Sequence, residues 1–143
     1  QAQIVEASHL VVFANITNFG EQHVDEYFDN LTTTREIQME AVQGYKDFVK
    51  NFINTLPVDV KNVWTSKQTY IALSNLLNAA AELKIDVTPM EGFEPQKYNE
   101  ILGLDELGLN ASLVATIGYR HEEDGLQHLK KVRKSEKELF LTL

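Results

Sequence analysis

The sequence predicts an α+β domain in which helices wrap a single sheet. Three features carry this: an apolar run, "LVVFA", near the start; a long helical segment over residues 60–83; and a β-rich run, "ASLVATIGY", at residues 111–119. At about 3.6 residues per turn the helical segment exceeds about six turns.

Taken in order, "IVEASHLVVFANI" has the unbroken apolar centre of a strand buried on both faces. Val24, Phe28 and Leu31 then recur at helical spacing, and Val42, Tyr45, Val49, Phe52 and Ile53 form a second helical stripe. Pro57 closes that stretch. The long segment that follows is apolar nearly all round from Tyr70 to Ala81, Leu76 included. A helix without a polar face is buried on most sides, and a domain this small is expected to need a second subunit to cover it. "KIDVT" is a strand that leaves through "TPMEGF", Thr88 to Phe93. "EPQKYNEILGL" is a short helix with Pro95 in its first turn and Gly103 at its stop. After the run at 111–119, a polar stretch leads to "LFLTL", expected to be a last strand.

The 143 residues are enough for one domain, 1–143, with a real core. An apolar share of 43% against 24% charged excludes a disordered chain. There is no cysteine, hence no disulfide framework and no thiolate site, which fits a cytoplasmic location. No signal segment opens the chain and no run is long enough to span a membrane, so no membrane partner is expected. The first residue is Gln1, as in a processed chain or part of a longer one. A net charge of −8 argues against nucleic acid as a partner. Yet five of the thirteen cationic residues fall together: Lys130, Lys131, Arg133, Lys134 and Lys137. They suit either a local anion site or a solvated basic surface.

Phosphate-binding glycine loops of the GxGxxG and GxxxxGK types are absent. Gly103 and Gly108 read as a helix stop and a turn. The histidines, His9, His23, His121 and His128, are too scattered for a metal site, and none is assigned. No hydrolase elbow is visible. The glycosylation-like triplets at Asn15, Asn30 and Asn110 are taken as chance. Two stretches remain, "PMEGF" and "KKVRK". Gly92 lets main chain approach a flat ligand, and Lys131 and Arg133, two residues apart, suit a phosphate. A planar ring with a phosphate describes FMN; a surface turn beside a basic surface is the alternative.

The run "VWTSKQTYIALSNLLNAAAELKIDVTPMEGFEPQKYNEILGL" resembles the central helix, strand and flavin loop of the FMN-dependent NAD(P)H nitroreductases. "QIVEASHLVVFA" is similar to the family's strand entry, and "ASLVATIGYR" with "HLKKVRKS" to its late strand and Lys-x-Arg segment. The likeness covers the C-terminal two-thirds of such a protein. The family's Arg/Ser-rich phosphate segment and Asn-Gln-Pro-Trp-like motif are not in this sequence, and Ser74 and Lys130 replace a family Gly and Pro.

The resemblance implies a nitroreductase-like fold: a central, mostly antiparallel sheet wrapped by helices, a long buried helix at a homodimer interface, and a C-terminal strand reaching the partner. It implies Glu91 and Gly92 main chain against the isoalloxazine ring, with the Glu91 N–H toward flavin N5. Pro89 and Met90 would border the ring, and Lys131 and Arg133 would hold the phosphate. The implied activity is two-electron, ping-pong hydride transfer from NAD(P)H through FMN to nitroaromatics or quinones. Another flavin enzyme of the superfamily, or a flavin-free dimerisation fragment, is the alternative. No catalytic acid or base is assigned, since the cofactor carries the chemistry. Phe48 and Phe52 are expected either to wall the acceptor pocket or to pack in the core.

Overall fold

The computed structural model describes residues 2–142. In chain order it has α1 (Ala2–Glu6), β1 (His9–Ile16), α2 (Glu21–Arg35), α3 (Gln43–Thr55), α4 (Val58–Glu82), β2 (Asp86–Met90), α5 (Pro95–Leu102), β3 (Leu109–Gly118) and α6 (Glu136–Leu139). The strands make one antiparallel sheet in the order β1-β3-β2. The fold is α+β, as expected.

Helix α4 runs across one face of this sheet. Thr65, Thr69, Leu73 and Ala80 are its buried residues. Leu73 packs with Leu113 and Ala115 of β3, and Phe13, Leu76, Leu77 and Val87 close around them. The buried threonines satisfy their hydroxyls on backbone carbonyls: Thr69 Oγ1 donates to Ser66 at 2.6 Å, and Thr65 Oγ1 to Ile16 of β1 at 2.7 Å. Val60, Val63, Trp64, Tyr70 and Ile71 remain exposed on α4. So within this chain the helix is not buried all round, and Leu76 belongs to the subunit's own core rather than to an outer face.

Helices α2 and α3 form a hairpin with a separate core of Val24, Phe28 and Ile53. Its rim is charged. Lys46 and Lys50 each reach a carboxylate oxygen of Asp25 at 2.7 Å, and these bonds hold that carboxyl below its ordinary value. Pro57 stands between α3 and α4 as the N-cap of the latter. Pro95 opens α5, and Gly103 ends it at φ 64°, a left-handed value that favours glycine. Gly108, at φ 66°, turns the chain into β3.

Two sequence expectations are corrected. The strand buried on both faces is β3, not β1: Ala111 and Leu113 to Thr116 are buried, whereas in β1 only Asn15 is. Its central place covers both edges with strands, and α4 and α5 both pack against it. Residues 2–6 ahead of β1 are helical. In addition, "LFLTL" does not form a strand over its described residues. Ser135 and Glu138 cap a short helix through bonds of 3.0 and 2.8 Å, which takes in Leu139, and Phe140 to Thr142 are irregular and exposed. Leu143 lies outside the described residues. No helix among the described residues is long and apolar enough to cross a membrane.

The β1–β3 register slips by one residue between Phe13 and Ala14, opposite Ser112. Polar side chains gather at this bulge. Asn15 donates to Thr65 Oγ1 on α4 at 3.1 Å and accepts from Ser112 Oγ at 2.6 Å and from Asn110 Nδ2 at 3.3 Å. Asn99 of α5 donates to Asn110 Oδ1 at 3.0 Å and accepts from the Ala111 N–H at 2.9 Å. Among the described residues no buried side-chain polar atom lacks a partner. Asn99→Ala leaves the buried Ala111 N–H without an acceptor, and should cost about 1–3 kcal/mol. The expected outcome in urea is a lower unfolding midpoint with an unchanged slope, and an unmoved midpoint would show that the bond is dispensable.

Candidate functional site

The turn singled out by the sequence follows β2 directly. Pro89 pairs with Ala115 and Met90 with Val114 on the central strand. Proline has no N–H to give to a ladder, and β2 is an edge strand, where this is tolerated. Met90 is buried, so its side chain belongs to the core, while Glu91 and Gly92 are exposed. Beyond the strand the chain folds back through a three-residue turn in which the Phe93 N–H donates to the Glu91 carbonyl at 2.9 Å. Phe93 then rests edge-on against Tyr98 at 5.0 Å. Among the described residues neither the Glu91 nor the Gly92 N–H donates to a protein acceptor. These two main-chain donors, on an exposed turn, fit the edge of a planar ligand that carries hydrogen-bond acceptors.

The turn is also held from the side. Tyr70 Oη of α4 donates to Glu91 Oε1 at 2.5 Å. Sequence reasoning missed this bond; Tyr70 had been read only as part of an apolar helix. The signal available was a polar tip at the start of that apolar stretch.

Lys131 and Arg133 lie exposed in an irregular segment between the short 3₁₀ turn at Gly125–His128 and α6. Arg133 donates to the neighbouring Val132 carbonyl at 2.8 Å, and nothing buries either cation. Lys131 nonetheless stands near enough to Asp86, the first residue of β2, to help hold its carboxyl below the ordinary value. Lys131 thus lies toward the Asp86 end of β2, while the Glu91–Gly92 turn follows its other end, about 14 Å along the strand at roughly 3.4 Å per residue. An unshielded pair of cations suits a phosphate.

Asp86 itself is a fixed point. Arg120 grips it with Nε at 2.7 Å, with Nη2, and with its backbone N–H at 3.3 Å. This two-pronged contact ties the end of the β3 segment to the start of β2, and it is the largest cause of the lowered Asp86 pKa.

Phe48 and Phe52 are 65% and 54% exposed, so the expectation that they pack in the core fails. Phe52 lines a groove of about 550 Å³ between α3 and α4, together with Leu56, Val60, Val63, Trp64 and Lys67; Phe48 is not among its lining residues. Val60, Val63, Trp64, Lys67 and Tyr70 follow one stripe of α4, with Tyr70 one turn beyond Lys67, a rise of about 4.5 Å. The groove and the turn thus share one side of α4. Among the described residues no group of His, Asp or Glu is arranged to hold a metal.

The fold and this arrangement define a class. The model of the nitroreductase family matches residues 16–119. The chain is 31% identical to the major NAD(P)H-flavin oxidoreductase of Aliivibrio fischeri, over all of this chain and 66% of that protein. It is 35% identical to a candidate NAD(P)H nitroreductase of Staphylococcus epidermidis, over 98% of this chain and 66% of that one. A crystal structure of a candidate nitroreductase from Bacillus subtilis shares the fold at a TM-score of 0.83 and 17% identity, covering all of this chain and 67% of that one. The chain belongs to the nitroreductase family. It spans just under two thirds of the length of the two relatives compared by sequence.

The Asp86–Arg120 contact gives a pH test. The folded Asp86 pKa is lowered from the ordinary 3.8, so its contribution is complete above that value and is lost as the pH falls through the lower folded one. Both side chains are about half exposed, which limits the contribution to about 1 kcal/mol. Asp86→Asn should therefore be less stable than the wild type at pH 7, with the gap closing in acid. A gap that does not narrow at all as the pH falls below the ordinary 3.8 would overturn this account.

Proposed function

We propose that this chain carries part of the flavin site of an FMN-dependent NAD(P)H oxidoreductase that reduces nitroaromatics or quinones. The observation that carries this reading is the pair of unpaired main-chain donors at Glu91 and Gly92 on an exposed turn. The names of the relatives support a flavin and a nicotinamide donor. FMN, when bound, supplies two-electron hydride exchange between NAD(P)H and the acceptor.

The chain's own residues bind and orient. Glu91 and Gly92 offer N–H groups to the ring edge, where they cost no reorganisation when charge develops. Gly92 leaves room for the close approach. Pro89 and Met90 fix the path of the strand that presents them. Lys131 and Arg133 hold the phosphate, and their exposure lets them move onto it. The groove beside Phe52 and Trp64 receives a flat, apolar acceptor along the same side of α4.

A homodimer is part of the proposal, with the C-terminal segment reaching the partner. Val60, Val63 and Trp64 wall the acceptor groove, and Ile71, exposed on α4 beyond it, marks the surface that a second subunit would cover.

Replacing Lys131 and Arg133 together by Ala should weaken FMN at least about a hundredfold, since each charge-assisted bond contributes about 1.5–3 kcal/mol. Riboflavin, which lacks the phosphate, should bind as before. Equal loss of both ligands would return the segment to a basic surface.

The turn is tested by contrast. Gly92→Val should abolish bound flavin, because a branched side chain fills the approach and restricts the backbone. Glu91→Gln keeps both the N–H and a side-chain acceptor oxygen, and should retain flavin. Flavin per subunit, read from visible absorbance, decides; normal binding by Gly92→Val would sink the main-chain reading.

A further inference from the structure

We propose that Tyr70 is the positioning residue of the flavin-facing turn, holding Glu91 by its carboxylate so that the Glu91 and Gly92 N–H groups stay aimed at one place. The proposal rests on the flavin reading above and goes beyond it by giving the turn an anchor on α4.

The turn has little else to hold it. Beyond β2 its internal support is one backbone bond, from the Phe93 N–H to the Glu91 carbonyl, and the edge contact between Phe93 and Tyr98. Glu91 makes no other side-chain hydrogen bond among the described residues than the one from Tyr70 at 2.5 Å. Tyr70, by contrast, sits on a rigid base. Thr69 beside it and Leu73 one turn on are both buried against the sheet, and Leu73 packs on Leu113 and Ala115. The bond therefore links an exposed turn with few other contacts to a packed helix, across 21 positions of sequence.

The chemistry of the pair suits a standing clamp. Hydrogen bonding to Glu91, with burial adding, raises the Tyr70 phenol above its ordinary 10.0, so the donor proton is in place at neutral pH. A carboxylate acceptor makes the bond charge-assisted and short. It also keeps the Glu91 charge turned toward α4 while the peptide N–H groups remain unpaired. Holding donors ready before the ligand arrives raises affinity by cutting the ordering cost of binding.

The test uses Tyr70→Phe, which keeps the ring and loses the hydroxyl, and Glu91→Ala, which breaks the same bond from the exposed side. Each should weaken FMN about tenfold, read by flavin fluorescence titration, and each should speed hydrogen exchange at the Phe93 amide about tenfold in flavin-free protein. Glu91→Gln, which presents a neutral oxygen to the hydroxyl and so a weaker bond, should fall between wild type and Glu91→Ala on both readouts. The double variant Tyr70→Phe, Glu91→Ala should be no worse than either single one, because one bond is lost once. If the wild type binds FMN and Tyr70→Phe binds it equally well, the proposal is overturned. If the wild type binds no FMN, the cofactor reading has failed by itself, and unchanged Phe93 exchange in Tyr70→Phe then overturns the clamp as well.

Discussion

The structure depends on the buried amide cluster at the β1–β3 bulge. Asn15, Asn99, Asn110, Ser112 and Thr65 come from β1, α5, β3 and α4, so one connected set of hydrogen bonds fixes four elements. Such a network is stabilising only when every member is satisfied, since a lone buried amide costs more than its bond returns. The consequence is geometric. The long helix cannot slide along the sheet without stranding Asn15, and α5 cannot shift without stranding the Ala111 N–H. The position of Tyr70 on α4 and the exit of β2 into its turn are both set by that lock.

Much of the fold was legible in the sequence because it is written in local chemistry. Pro57, Pro95 and Gly103 punctuate the helices where proline and glycine must, and the apolar length of α4 needs no partner to be seen. What stayed hidden depends on pairing across the chain. "LVVFA" is the more apolar run, yet it lies at an edge, because which strand becomes central is decided by neighbours far away in sequence. Asn15 and Asn110 looked like incidental triplets, since nothing local says that two asparagines 95 residues apart will bond. The C-terminal "LFLTL" reads as β by propensity, but Ser135 and Glu138 cap a helix immediately before it.

The candidate site follows the same division. The glycine turn and the cationic segment were visible as short motifs, each weak by itself. Their relation was not, because β2 is what separates them, and Asp86, gripped by Arg120, is what steadies the end nearer the cations. Tyr70 was invisible as a polar contributor because its partner lies on another element. Phe52 shows the opposite failure: helical spacing implied burial, and the α2–α3 hairpin is filled instead by Val24, Phe28 and Ile53.

Pro89 has an effect beyond the path of its strand. A sheet with two open margins is a template for other chains on both sides. The margin formed by β2 is interrupted, since an imino acid contributes no donor to an incoming strand. The margin formed by β1 carries no proline from His9 to Ile16, and only near its end is a carbonyl, that of Ile16, already taken by Thr65 Oγ1 at 2.7 Å. The sheet is thereby polarised: its β2 margin lacks a donor next to the turn, whereas its β1 margin has an N–H at every position.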